Sequence, residues 1–145
     1  MKKAAVYSVC VVLALLGSLG SIFLRERPFS PGLNPQQLVE LYYHSVAKYD
    51  FATARTCLSD EMAQEMYDES SDLLNATKLS GLNVSKESHI KLYGKNYDEV
   101  QVVAEYDAVY KRVFGSVNGH QIRFIYVGKK TKDAPWKIIS IGTGP

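Results

Sequence analysis

Five side chains pair a reactive group with a spacing that could gather them: Tyr42, His44, Tyr106, Tyr110 and Tyr126. A phenol in an apolar pocket can hydrogen-bond a substrate oxygen or pass it a proton, and an imidazole titrates near neutral pH. Tyr106 and Tyr110 lie in a stretch that alternates with period two, so both point to one face, while Glu105 and Asp107 point to the other. Carboxylate chemistry in a pocket would need those acids turned inward, and the alternation turns them to solvent. The four tyrosines could line a pocket and hydrogen-bond a ligand. Tyrosines so placed more often fill a core with their hydroxyls at its rim, and that is the expectation here. His44 sits beside an apolar helical stripe; a surface or rim position is expected, with an approach to the sheet as the alternative. Tyr110 or His44 as proton donor is the enzymatic version of this cluster.

Other chemistries lack their residues. His44, His89 and His120 are scattered, with no HxH or HExxH spacing and no adjacent cysteine pair, so the convergent ligands of a zinc site do not assemble. Asp60, Glu61, Glu65, Asp68, Glu69 and Asp72 form an acidic stretch, but with helical spacing and no central glycine. A calcium loop needs alternating oxygen ligands around such a glycine, so a solvated acidic face is expected, with a basic partner surface as the alternative. There is no glycine-rich phosphate loop, and no serine or cysteine has a His/Asp escort. Cys57, among Ala52, Ala54 and Leu58, reads as a buried inert thiol. Asn75-Ala76-Thr77 and Asn83-Val84-Ser85 match glycosylation sequons, a short pattern from which no modification is assigned. No catalytic residue, metal or cofactor is assigned.

The elements that must position these residues change period halfway along the chain. Asn34-Pro35-Gln36-Gln37 predicts a helix start, with Asn34 as N-cap, Pro35 at the first position and Gln37 completing a capping box. Leu38, Leu41, Tyr42, Ser45, Val46 and Tyr49 follow the helical period. Asp50 caps a second short helix through Cys57 and Leu58. Ser59 caps a third, with Asp60 and Glu61 in its first turn and Met62, Met66 and Tyr67 on one side. From Glu69 to Ser85 a broken helix or loop around Leu73-Leu74 is expected. His89 to Tyr93 alternates as a strand, Gly94 to Asp98 is a turn, and Val100 to Tyr110 is a long half-buried strand. A phase switch near Lys111-Arg112 suggests a bulge. Asn118-Gly119 predicts a two-residue type I′ hairpin pairing Val117 with His120. Ile122, Phe124 and Tyr126 mark the next strand, Lys129 to Pro135 a polar turn, and Trp136 to Ile141 the last strand. Helices followed by an antiparallel meander make the fold class α+β, with the helices on the concave face of a curved sheet.

Three segments divide the chain: 1–27, 28–34 and 35–145. The first holds Lys2-Lys3 and an uncharged run from Ala4 to Leu24, 21 residues that as a helix would span about 30 Å, one bilayer core. It reads as a membrane anchor, with a signal peptide cleaved after Gly20 as the alternative. Flanking charges tie at two each, Lys2 and Lys3 against Arg25 and Arg27. A short basic head before a long apolar run usually stays inside, so a single-pass protein with its C-terminal domain outside is expected, or a secreted one after cleavage. Ala14, Gly17, Ser18 and Ser21 share one helix face and could pack a partner helix, or serve the cleavage region. Cys10 lies too early in the run for lipidation. Beyond residue 27 the chain has 13 basic and 14 acidic residues. That balance lacks the positive field that nucleic-acid binding requires. The expected partners are the membrane through residues 4–24, an envelope protein or a small apolar ligand, with a homodimer also open.

The pattern resembles the cone-shaped nuclear transport factor 2-like fold, also called cystatin-like. The matching residues are Tyr42-Tyr43, Tyr49-Asp50-Phe51-Ala52, the Val100 to Tyr110 strand and Trp136-Lys137-Ile138. The ending from Pro135 to Pro145 (Pro-Trp-Lys-Ile-Ile-Ser-Ile-Gly-Thr-Gly-Pro) resembles a Gram-positive family, domain of unknown function 4829, whose members look exported or membrane-tethered. The resemblance covers about Asn34 to Pro145. It implies a cone with an interior where enzymes of this fold, such as ketosteroid isomerases and dehydratases, place a general acid or base. It brings no established activity, so no site residue is carried over from it.

Overall fold

The computed structural model describes residues 32–65, 75–92, 94–111 and 117–143. The apolar segment over 4–24 with its flanking charges, Met66, Tyr67, the acidic residues beyond Glu65, Leu73-Leu74, Tyr93 and the Arg112 part of the bulge expected near Lys111-Arg112 lie outside the described residues.

Asn34 accepts a hydrogen bond from the Gln37 amide at 2.8 Å, and the Gln37 side chain accepts one from the Asn34 amide at 3.1 Å. This reciprocal pair, with Pro35 at the first position, starts α1 (Pro35–Ala47) as expected. The helix ends earlier than its apolar stripe implied. Tyr49 takes a left-handed φ of 58°, and the Asp50 amide reaches back to the Ser45 carbonyl at 2.9 Å. Tyr49 is therefore exposed, and its hydroxyl donates to the Thr77 carbonyl at 2.8 Å. Asp50 accepts from the Thr53 amide and hydroxyl at 3.2 and 2.7 Å and opens α2 (Phe51–Thr56). Ser59 accepts from the Met62 amide at 3.2 Å and opens α3 (Asp60–Glu65).

Four strands follow: β1 (Ala76–Val84), β2 (Asp98–Tyr110), β3 (Gly119–Lys129) and β4 (Lys137–Gly142), antiparallel in sequence order. The fold is α+β, with the three helices packed against this sheet.

Three local expectations need correction. A strand, β1, occupies much of the stretch expected as loop or helix. Its register against β2 shifts between Ala76 and Lys78 and between Ser80 and Asn83, and Gly81 takes φ 67°, so no period of two survives in its burial. Conversely, His89 to Leu92 form no strand. Only Ser88 pairs, exchanging two 2.8 Å bonds with Gln101. The chain then curls so that the amides of Leu92, Gly94, Lys95 and Asn96 donate to the Glu99 carboxylate at 2.9–3.2 Å, and the Asn96 side chain adds a bond at 2.8 Å. A carboxylate only 1 % exposed must be satisfied, and it takes the donors a strand would have used. Finally, Asn118-Gly119 is no two-residue hairpin. Gly119 pairs with Ala108 and His120 with Asp107, while the Asn118 side chain accepts from the Tyr110 amide at 2.8 Å. β2 stops at Tyr110, so the connection is longer than the local turn signal implied.

The core lies between α1 and the sheet. Val100, Val102, Ala104, Tyr106, Ala108 and Tyr110 of β2 are buried against Leu38, Val39, Tyr42, Tyr43 and Val46. Burying each large side chain contributes about 1.5–3 kcal/mol. The register of β2 on β3 places Val102 opposite Ile125 and Val100 opposite Val127, so the odd residues of β3 complete this layer. Beside the far edge of the sheet, Cys57–Ser59 runs parallel to β4. The Ile138 amide donates to the Cys57 carbonyl at 2.9 Å, and the Ser59 amide donates to the Ile138 carbonyl at 2.8 Å.

Candidate functional site

The sheet's long strand and α1 bring three of the five candidate residues to the same interior layer. Tyr42, Tyr106 and Tyr110 are buried there, together with Tyr43. The Tyr43 and Tyr106 rings are 4.8 Å apart and tilted by 44°, and Tyr42 meets Tyr43 edge-on at 5.2 Å. Burial raises the Tyr42 and Tyr43 phenols above their ordinary value, and the neighbouring Tyr106 adds to the effect. The Tyr43 hydroxyl has no well-formed hydrogen bond among the described residues, although Tyr106 lies within electrostatic reach. These rings pack against one another within the layer between α1 and β2.

The other two candidates are elsewhere. Tyr126 pairs with Gln101 across β2 and β3 and accepts its amide at 2.8 Å, on the outer face of the sheet. The sequence grouped Ile122, Phe124 and Tyr126 correctly on one side of β3, but the inner side is that of Gln121, Ile125 and Val127. His44 is exposed on α1. The two residues named as alternative proton donors therefore lie apart, Tyr110 in the buried layer and His44 on the exposed side of α1. Glu105 and Asp107 lie on the outer side, as the alternation required, and Asp107 meets His120 at 3.6 Å.

The outer sheet face is mixed. Ile122 is 44 % exposed, with Val103, Phe124 and Tyr126 half-buried on the same face, while Glu105 lies opposite Ile122 and the Asp107–His120 pair separates Ile122 from Val109.

A separate cleft of about 560 Å³ opens between α3, β4, the turn joining β3 to β4, and Asn96. Its surface includes Leu58, Met62, Pro135 and Ile139, while Asp60 and Lys130 face each other at 3.8 Å. Lys137 enters from β4, half-buried, and its ammonium donates to the Thr56 carbonyl. Burial lowers the Lys137 ammonium from its ordinary value, with Cys57 and Asp60 pulling it partly back. Behind it, burial pushes the Cys57 thiol up to about 11, so the sulfur is a packed, protonated group. Sequence reasoning passed over this cleft. Its only sequence signal was a lysine set among apolar residues, Trp136-Lys137-Ile138-Ile139. Among the described residues no group of three or more His, Cys, Asp or Glu side chains could hold a metal, and no helix is long and apolar enough to cross a membrane.

The chain matches the family described as Domain of unknown function (DUF4829) over residues 36–142, and it belongs to that family. The matched region spans α1 to β4 and so contains both the tyrosine layer and the cleft. Comparison with curated proteins and with solved structures gave no match.

Proposed function

We propose that this chain is a non-catalytic interaction domain of the nuclear transport factor 2-like cone type, tethered outside a bacterial membrane by residues 4–24, where it docks an envelope protein. The buried tyrosines support this reading: Tyr42, Tyr43, Tyr106 and Tyr110 are packed between α1 and the sheet, where a cone-type enzyme would need a general acid or base. Register shifts in β1 and between β3 and β4 support a bent sheet, as a cone needs. The 21-residue apolar run supports the tether. The group of Ile122, Phe124 and Val103, bordered by Glu105 and the Asp107–His120 pair, supports an accessible surface of mixed character for a protein partner.

Photo-crosslinking in cells tests both halves of the proposal on the full chain. A photoreactive residue at Ile122 should give an adduct with a membrane-fraction protein, whereas one at Lys132 in the polar turn should not. An adduct of twice the chain's own mass would identify a second copy as the partner. Absence of any adduct at Ile122 would overturn the docking surface, and recovery of the chain in the soluble cytoplasm would overturn the tether.

A further inference from the structure

Among the described residues seven large apolar or aromatic side chains are exposed, and three of them, Ile90, Leu92 and Tyr97, lie in the loop before β2. The loop is not shaped by burying them. Its form comes from the Glu99 carboxylate, which takes four backbone amides and the Asn96 side chain. The Tyr97 amide also donates to the Lys129 carbonyl at 2.8 Å, which joins the loop to the turn between β3 and β4. One end of the sheet is therefore bordered by residues 86–92, 94–99 and 129–133, with six lysines against four acids, one of them the buried Glu99. The rest of the chain beyond residue 27 has the opposite balance, seven basic residues against ten acidic. Lys95, Lys129 and Lys130 already have partners in the fold. Lys86, Lys91 and Lys132 are exposed, and no ion pair engages them among the described residues.

We propose that this end of the sheet rests on an anionic lipid headgroup surface, with Ile90, Leu92 and Tyr97 at the interface and Lys86, Lys91 and Lys132 facing lipid phosphates. The composition suits that surface. Apolar side chains leave water at the headgroup boundary, while ammonium groups beside them attract anionic lipid. A tyrosine fits the same boundary, its ring apolar and its hydroxyl wet. Lysine is depleted in protein–protein interfaces, so His89-Ile90-Lys91-Leu92, with a lysine between its two apolar residues, favours lipid over a protein partner. A loop already held by Glu99 loses little freedom on docking. The direction of α1 agrees. Tyr43 packs on Tyr106, and Tyr49 bonds Thr77, whose hydroxyl donates to the Val109 carbonyl. From Tyr43 to Tyr49 α1 thus advances as β2 does from Tyr106 to Val109, and its first turn is directed toward the end where β2 begins. The tether proposed above precedes that turn, and the ten residues from Arg25 to Asn34 reach at most about 35 Å when extended. This docking presupposes the tether and adds the face that the domain turns to the bilayer.

The test uses the full chain in lipid nanodiscs doped with a gadolinium-chelating headgroup, read by amide NMR signals. In discs rich in phosphatidylglycerol, Ile90, Leu92 and Lys132 should lose intensity, whereas Gly119 and His120 at the opposite end of the sheet should keep theirs. The loss should fade in phosphatidylcholine discs and in high salt, since the lysines act through screened charge. Replacing Lys86, Lys91 and Lys132 together by Gln should weaken it. The same change of net charge at Lys48, Lys78 and Lys111 should not. Should the first triple variant fail to fold, Ile90→Ser with Leu92→Ser should weaken the loss as well. The tether is read separately, as retention of the chain on the discs in high salt, and its failure would leave the loop signals readable in low salt. Equal loss in neutral and anionic discs, equal loss at Gly119, or a loss unchanged in the first triple variant would each overturn the proposal. No selective loss in anionic discs would overturn it too, and would return Ile90 and Leu92 to a protein partner.

Discussion

Tyr43 brings a hydroxyl into the dry layer between α1 and β2, and its neighbours leave that hydroxyl poorly bonded. Removing the ring and removing the hydroxyl should therefore differ sharply. Tyr43→Ala empties part of the core and should cost about 3–5 kcal/mol in chemical denaturation. Tyr43→Phe removes a buried hydroxyl that has no well-formed hydrogen bond among the described residues, and it should shift stability by less than about 1 kcal/mol. A Phe variant as weak as the Ala variant would show that the hydroxyl is paired after all. The same burial sets a pH dependence. Tyr42 and Tyr43 are raised in the folded chain above the ordinary value of 10.0, so the unfolded chain loses its phenolic protons first. Their contribution is intact below that pH and falls as the pH climbs beyond it. Denaturation midpoints at pH 9 and pH 11 should show the decline, and the double Phe variant should flatten it.

Helix ends and loop anchors carry the next level of control. Asn34→Ala removes half of the reciprocal bond pair that opens α1 and should cost about 1 kcal/mol, measured by the shift in denaturation midpoint. Glu99→Gln replaces an acceptor with a group that also donates, and it faces four backbone amides. It should cost about 1–3 kcal/mol, and amide exchange should accelerate over residues 92–96 while α1 keeps its protection. Unchanged exchange there would mean that the loop holds its shape without the carboxylate. What could be read from the sequence at this scale divides by range. Asn34, Asp50 and Ser59 act within three residues of themselves, so all three helix starts were legible. Burial alternation likewise exposed β2. β1 was hidden because Gly81 and two register shifts erase its period. Asn118-Gly119 misled because turn type is a local preference, whereas the register of β3 is fixed by burial of Ile125 and Val127. That register also sends Tyr126 to the opposite face from Tyr106.

At the level of the molecule, the tyrosine layer was partly legible, since Tyr42, Tyr106 and Tyr110 share its inward faces. The cleft was not, because α3, the β3–β4 turn and Asn96 meet only after the chain has folded. The proposed tether gives a prediction for the full chain. It should remain in the membrane pellet through alkaline carbonate extraction, and replacing residues 4–24 with a polar linker should release it. A protein extracted in both forms would remove the tether from the account. β4 comes last among the elements, yet its Ile138 holds both backbone bonds that fix Cys57–Ser59, between α2 and α3. A nascent chain synthesised as far as β3 therefore has all three helical sequences but lacks the strand that anchors two of them. Such a chain cannot form the two bonds to Cys57 and Ser59 until residues 137–142 have been added.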